Sequence, residues 1–132
     1  MNKDLDKINH NNSFPTICLD LKQYRIRIYK STLKELNNPK TINIMVNPSS
    51  KIIAIKNCPD TDQYAIKIYP SQLMPDNCCE IHSNSLLSKL YTLCPNLQLG
   101  KSYRIYGYKV SNTTFIYFNL ESAEQINDEV EL

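Results

Sequence analysis

The chain reads as an α+β domain, mostly antiparallel sheet with one or two short helices. Three observations carry this expectation. Several six-residue runs alternate apolar and polar side chains with period two, the pattern of half-buried strands. Only two stretches keep an apolar stripe at helical spacing, and both are brief. Asn, Asp, Ser and Pro punctuate the runs at short intervals, which favours hairpins over long crossovers. At 132 residues there is room for one domain, and a hydrophobic fraction of 42% can fill its core.

Met1 to Ser13 is polar and Asn-rich, so residues 1–13 are expected to be a disordered tail. The single domain is placed at 14–123, beginning with the apolar stretch Phe14 to Leu19. Tyr24-Arg25-Ile26-Arg27-Ile28-Tyr29 alternates cleanly and predicts a strand with Tyr24, Ile26 and Ile28 on the core side. A helix of about two turns follows, with Thr32 and Glu35 as a capping box, Leu33 and Leu36 as its buried side, and Pro39 as its stop. Ile42 to Val46 and Lys51 to Lys56 predict a hairpin around Asn47-Pro48-Ser49-Ser50. Tyr64 to Tyr69 is a further alternating strand, and Cys78 to His82 a short one.

A second helix is expected from an Asn84 or Ser85 cap, with Leu86, Leu87, Leu90, Tyr91 and Leu93 as its apolar stripe. Ser102 to Val110 and Thr114 to Leu120 predict a Tyr-rich hairpin around Ser111-Asn112-Thr113. Residues 124–132 read as an acidic C-terminal tail, a frayed helix if ordered at all. Strand, helix and hairpin occur twice, from Tyr24 to Lys56 and from Cys78 to Leu120, which suggests two similar β-α-β-β halves side by side in one sheet. Both helices would then cover one face and leave the other open, an outline shared with clamp-like and saddle-like folds.

Composition removes several function classes. A net charge of +2 is too even for a protein driven by phosphate contacts or for an acidic mimic of DNA. No run of about 18 apolar residues exists to span a membrane, and no secretory leader opens the chain, so a cytoplasmic protein is expected. Five cysteines without a leader argue for reduced thiols. Cys78, Cys79, His82 and Cys94 are the one candidate metal cluster, but their spacing lacks the doubled ligand pairs of structural zinc, so no metal or other cofactor is expected. His10 and His82 are the only histidines, acidic pairs such as Asp60 and Asp62 sit in turn sequence, and two glycines cannot form a phosphate-binding loop. The chain is therefore expected not to be an enzyme.

The run from Arg27 to Leu36, with Pro39 and the hairpin Ile44 to Ile55, resembles small uncharacterised proteins of Clostridia, their phages and mobile elements. That resemblance covers about a third of the chain and implies an accessory role without transferring any site residue.

The residues singled out for binding are Arg25, Arg27, Tyr29, Arg104, Tyr106 and Tyr108. All three arginines lie in Tyr-flanked strands, and period two puts each set on one side of its strand. Such a face suits a protein interface, where Tyr and Arg are enriched. It equally suits stacked bases and phosphates of a nucleic acid, while Tyr also simply favours strands. The leading expectation is an inhibitor or adaptor, a regulatory protein of a bacterium or phage that works by protein–protein contact. A nucleic-acid platform and a small-molecule sponge stand as alternatives, and the open sheet leaves a homodimer in play.

Overall fold

The computed structural model describes residues 14–68 and 78–126. The expected tail 1–13, residues 127–132 of the expected tail 124–132, and the stretch around Tyr69, Pro70 and Pro75 lie outside the described residues. The elements are β1 (Thr16–Asp20), β2 (Arg25–Ile28), α1 (Lys30–Glu35), β3 (Thr41–Asn47), β4 (Ile52–Asn57), β5 (Ile66–Lys67), β6 (Cys79–His82), α2 (Asn84–Leu93), β7 (Ser102–Lys109), β8 (Phe115–Asn119), a 3-10 turn (Leu120–Ser122) and β9 (Glu124–Ile126). The strands form one sheet in the order β5-β3-β4-β8-β7-β1-β2-β6, with β9 also beside β7, and every pairing is antiparallel. This is the α+β architecture that the alternating runs predict.

Short polar side chains make the turns. The Asp20 carboxylate accepts from the amides of Lys22 and Gln23 (2.8 and 3.1 Å) and shapes the β1–β2 connection. Asn47 Oδ1 accepts from the amides of Ser49 and Ser50 between β3 and β4. After α1, Asn37 and Asn38 adopt left-handed backbone (φ 66° and 49°), a conformation Asn tolerates, and the Asn38 amide returns to the Leu33 carbonyl.

Four local expectations are corrected. The Thr32–Glu35 capping box does not form: Tyr29 is the N-cap, without a side-chain bond. Thr32 Oγ1 instead donates to the Thr16 carbonyl and accepts from the Thr16 amide, both at 2.8 Å, tying the helix to β1. The cap of α2 is Ser83, whose Oγ accepts from the Leu86 amide, and Tyr91 of the expected stripe is exposed while Leu87 and Leu90 are fully buried. The start of the expected acidic tail is strand β9, because the 3-10 turn drops Leu120 into the core and returns the chain to β7.

The repeat is larger than the β-α-β-β unit read from the sequence. β1-β2-α1-β3-β4 is followed by β5-β6-α2-β7-β8 in the same order, although β1 pairs with β2 and, among the described residues, β5 does not pair with β6. Ile44 faces Ile55 in the first hairpin where Gly107 faces Phe118 in the second. The first strand of each half pairs with the third strand of the other: β1 joins β7 with Ile17 opposite Ile105, and β5 joins β3 with Ile66 opposite Ile42. Two further pairings between the halves bring equivalent strands together antiparallel, β4 with β8 and β2 with β6, as a two-fold relation requires. Leu33 and Leu36 of α1 match Leu87 and Leu90 of α2, and all four pack into the same core as Ile17, Ile26, Ile53, Ile105 and Phe118.

Candidate functional site

The helices fill one face of the sheet, so the residues of interest stand on the other. Across β2, β1 and β7 the register sets Arg27, Cys18 and Arg104 in one row, and Arg25, Asp20 and Ser102 in the next. β6 adds Glu80 opposite Arg27. Arg104, distant in sequence, is thus brought to the other side of β1 from Arg25 and Arg27, and Tyr29, just past β2, lines the same cleft as those two. That cleft holds about 270 Å³ between Cys18, Asp20, Ser102 and Ile126.

Two of the arginines are already engaged. Arg25 Nε donates to Asp20 (2.7 Å) and its Nη1 to Glu80 (2.9 Å). Arg27 donates to the same Glu80 oxygen through Nη2 (2.7 Å) and Nε (3.1 Å). Burial alone would push the Asp20 carboxyl up; its bonds from Lys22, Gln23 and Arg25 outweigh this and hold it below its ordinary value. Burial would likewise lower the Arg27 guanidinium, but the Glu80 carboxylate raises it. Burial and the neighbouring Cys18 raise the Tyr29 phenol. This half of the face is therefore a shielded, nearly neutral ion-pair network. Arg104 differs: its guanidinium lies 5.5 Å from the Tyr106 ring, and its buried Nε–H has no acceptor.

Beside the network runs an aromatic stripe. Tyr106 and Tyr108 are about half exposed, at 47% and 49%, as is Phe14 at 43%. Phe14 lies 6.4 Å from Tyr106, Tyr108 stands edge-on to Tyr117 at 5.9 Å, and Tyr117 meets Phe115 at 6.0 Å. Lys56 closes the far end, 5.3 Å above the Phe115 ring. Of the predicted residues, Tyr106, Tyr108 and Arg104 belong to this stripe, and Arg25, Arg27 and Tyr29 to the network. Sequence reasoning missed Phe14, Phe115 and Tyr117. The alternation of Phe115 and Tyr117 along β8 was the available signal, once paired with Tyr108.

The internal repeat separates what the fold needs from what it carries. The first-half equivalents of Arg104, Tyr106 and Tyr108 are Thr41, Asn43 and Met45, and those of Phe115 and Tyr117 are Ile52 and Ala54. Core positions of the two hairpins stay apolar, whereas the opposite face changes chemistry completely. Strand propensity therefore does not account for the aromatics, because the same architecture stands without them in the other hairpin.

Elsewhere, a cavity of about 650 Å³ lies beside the end of α1, lined by Pro39, Thr41, Cys58, Asp60, Lys67 and Ile68 among others. Among the described residues no group of three His, Cys, Asp or Glu side chains is placed to hold a metal. Cys79 is in the core and His82 is exposed on the opposite side of β6, so this pair cannot share an ion. All five cysteines are buried thiols outside any disulfide. No described helix is long and apolar enough to cross a membrane. No family model, curated protein or solved structure matches the chain.

Proposed function

We propose that the chain is a non-enzymatic binding protein, an inhibitor or adaptor that holds a protein partner on the aromatic stripe of its open sheet face. The carrying observation is the contrast between the two hairpins. Exposed Tyr106 and Tyr108, backed by Phe115 and Tyr117, occupy positions that the fold fills with Asn, Met, Ile and Ala in its other half, and Phe14 extends the stripe beside Tyr106. Rigid aromatics of this kind supply contact area at low entropic cost and are the usual anchors of protein interfaces. The electrostatics favour a protein over a nucleic acid, since Asp20 and Glu80 neutralise two of the three arginines.

Affinity capture from host lysate tests this, comparing the parent with the Tyr106→Ala/Tyr108→Ala variant. A protein retained by the parent through nuclease treatment and 0.5 M salt, and lost by the variant, supports the reading. Two interface aromatics at roughly 2 kcal/mol each correspond to a loss of several hundred-fold or more. Retention that disappears with nuclease, or that the variant keeps unchanged, refutes it.

A further inference from the structure

The charges around the stripe are one-sided. Among the described residues, the open-face positions of β3, β4, β7 and β8 include Lys56 and Arg104 and no carboxylate. The nearest acids are committed or displaced. Asp20 and Glu80 serve Arg25 and Arg27, and Glu121 approaches Lys51 at 3.7 Å. Glu124 stands across from Arg104 in the β7–β9 register, yet makes no ion pair with it. Lys56 and Arg104 cap opposite ends of the aromatic row, each over a ring and neither within 4 Å of a described carboxylate.

Arg104 also carries an unmet demand, at an atom that solvent does not reach, so its side chain must turn outward for a partner's acceptor to meet it. A buried donor without an acceptor is costly, and native structures seldom leave one unused. Its counterpart in the other half is Thr41, which is fully engaged, its hydroxyl donating to the Cys58 carbonyl. The orphaned donor is thus peculiar to the half that carries the aromatics.

From this charge complementarity we infer that the stripe takes an acidic, apolar segment of a partner protein, with a carboxylate delivered to Arg104 at one end, a second to Lys56 at the other, and apolar side chains on Tyr106, Tyr108 and Tyr117 between them. A carboxylate acceptor suits a guanidinium better than any neutral group, because the bonds are charge-assisted and can be paired. Lys56 lies over the Phe115 ring, so its side chain is pre-placed and loses little freedom on binding. The inference rests on the reading of the stripe as a protein-binding face.

The test uses the full chain and defined probes. Two pools of fluorescein-labelled 12-residue peptides carry Leu, Phe, Val or Pro at alternate positions; the remaining positions are Asp or Glu in one pool and Lys or Arg in the other. A 12-nucleotide oligo-dT is the third probe. Fluorescence anisotropy reads affinity, and amide and arginine Nε–H NMR shifts read location. The acidic pool is expected to bind at least tenfold more tightly than the basic pool, shifting the β7 and β8 amides and the Arg104 Nε–H. Raised salt should weaken it, and Arg104→Gln and Lys56→Glu should each cost several-fold, with circular dichroism confirming that both variants fold. Lys56→Glu keeps the test decisive if loss of Arg104 disturbs the sheet, because Lys56 is only half-buried. Equal binding of the two peptide pools, shifts away from this face, or no saturable binding of the acidic pool to 1 mM overturns the inference while lysate capture by the tyrosines can still stand. Tight oligo-dT binding lost in both variants overturns it together with the protein-binding reading.

Discussion

Gly107 is the position where the repeat predicts a perturbation and its repair. A methyl group built there would sit 2.5 and 2.6 Å from ring carbons of Phe118 and 2.7 Å from the Tyr117 carbonyl oxygen, against ordinary contacts of 3.4 Å or more. Phe118 is fully buried and one of the obstructing atoms is backbone, so neither neighbour yields cheaply. Overpacking of this kind costs roughly 1–3 kcal/mol, and the entropy removed from the unfolded chain returns up to about 1 kcal/mol. Gly107→Ala should therefore destabilise by about 1–2 kcal/mol, seen as a fall in Tm of roughly 4–8 °C. The equivalent pair in the other hairpin is Ile44 with Ile55, two medium side chains in place of one absent and one large. Phe118→Ile alone should cost about 2 kcal/mol through the void over Gly107. Combined with Gly107→Ala it should recover at least about 1 kcal/mol relative to additivity, because the added methyl occupies space the ring has left. Urea denaturation of the four proteins, followed by circular dichroism, measures this coupling. Additivity to within about 0.5 kcal/mol would show that the two side chains do not share one volume, and the steric account of the glycine would fail.

Two further outcomes follow from the hydrogen-bond and charge arrangements. Thr32→Val keeps the shape of the side chain but strips the acceptor from the Thr16 amide, so it should cost about 1–3 kcal/mol in urea denaturation, with Thr32→Ser much milder. Asp20 is held below its ordinary carboxyl value of 3.8, so the unfolded chain takes up that proton first. The stability it contributes is present above that value and disappears as pH falls through the depressed folded value. Urea midpoints between pH 5 and 2 should drop less steeply in Asp20→Asn than in the parent; parallel profiles would remove Asp20 from the acid limb.

The sequence by itself determined most of the strands, the hairpins and their inward faces, although of the run from Tyr64 to Tyr69 only Ile66–Lys67 is strand among the described residues. Period two in Arg25–Ile28 and Ser102–Lys109 survives any tertiary arrangement, since a one-residue slip would turn Ile26, Ile28 and Ile105 to the wrong side. Asn37, Asn38 and Asn47 marked their turns through bonds made within a few residues. Local signals failed where a distant partner outbid a near one. Thr32 gave up its capping box for Thr16 across the helix–strand contact, and Glu124–Ile126 joined β7 because Leu120 anchors the chain in the core. Only the tertiary structure decided the character of the face. Period two showed that Arg25 and Arg27 share a side, but their neutralisation by Glu80 depends on β6 lying beside β2. The meeting of Tyr108 with Tyr117, and the unanswered Nε of Arg104, depend in the same way on strand order. Side-chain direction along a strand is a local property; the identity of the neighbour is set by which strands pair, and that is written in no single segment of the chain.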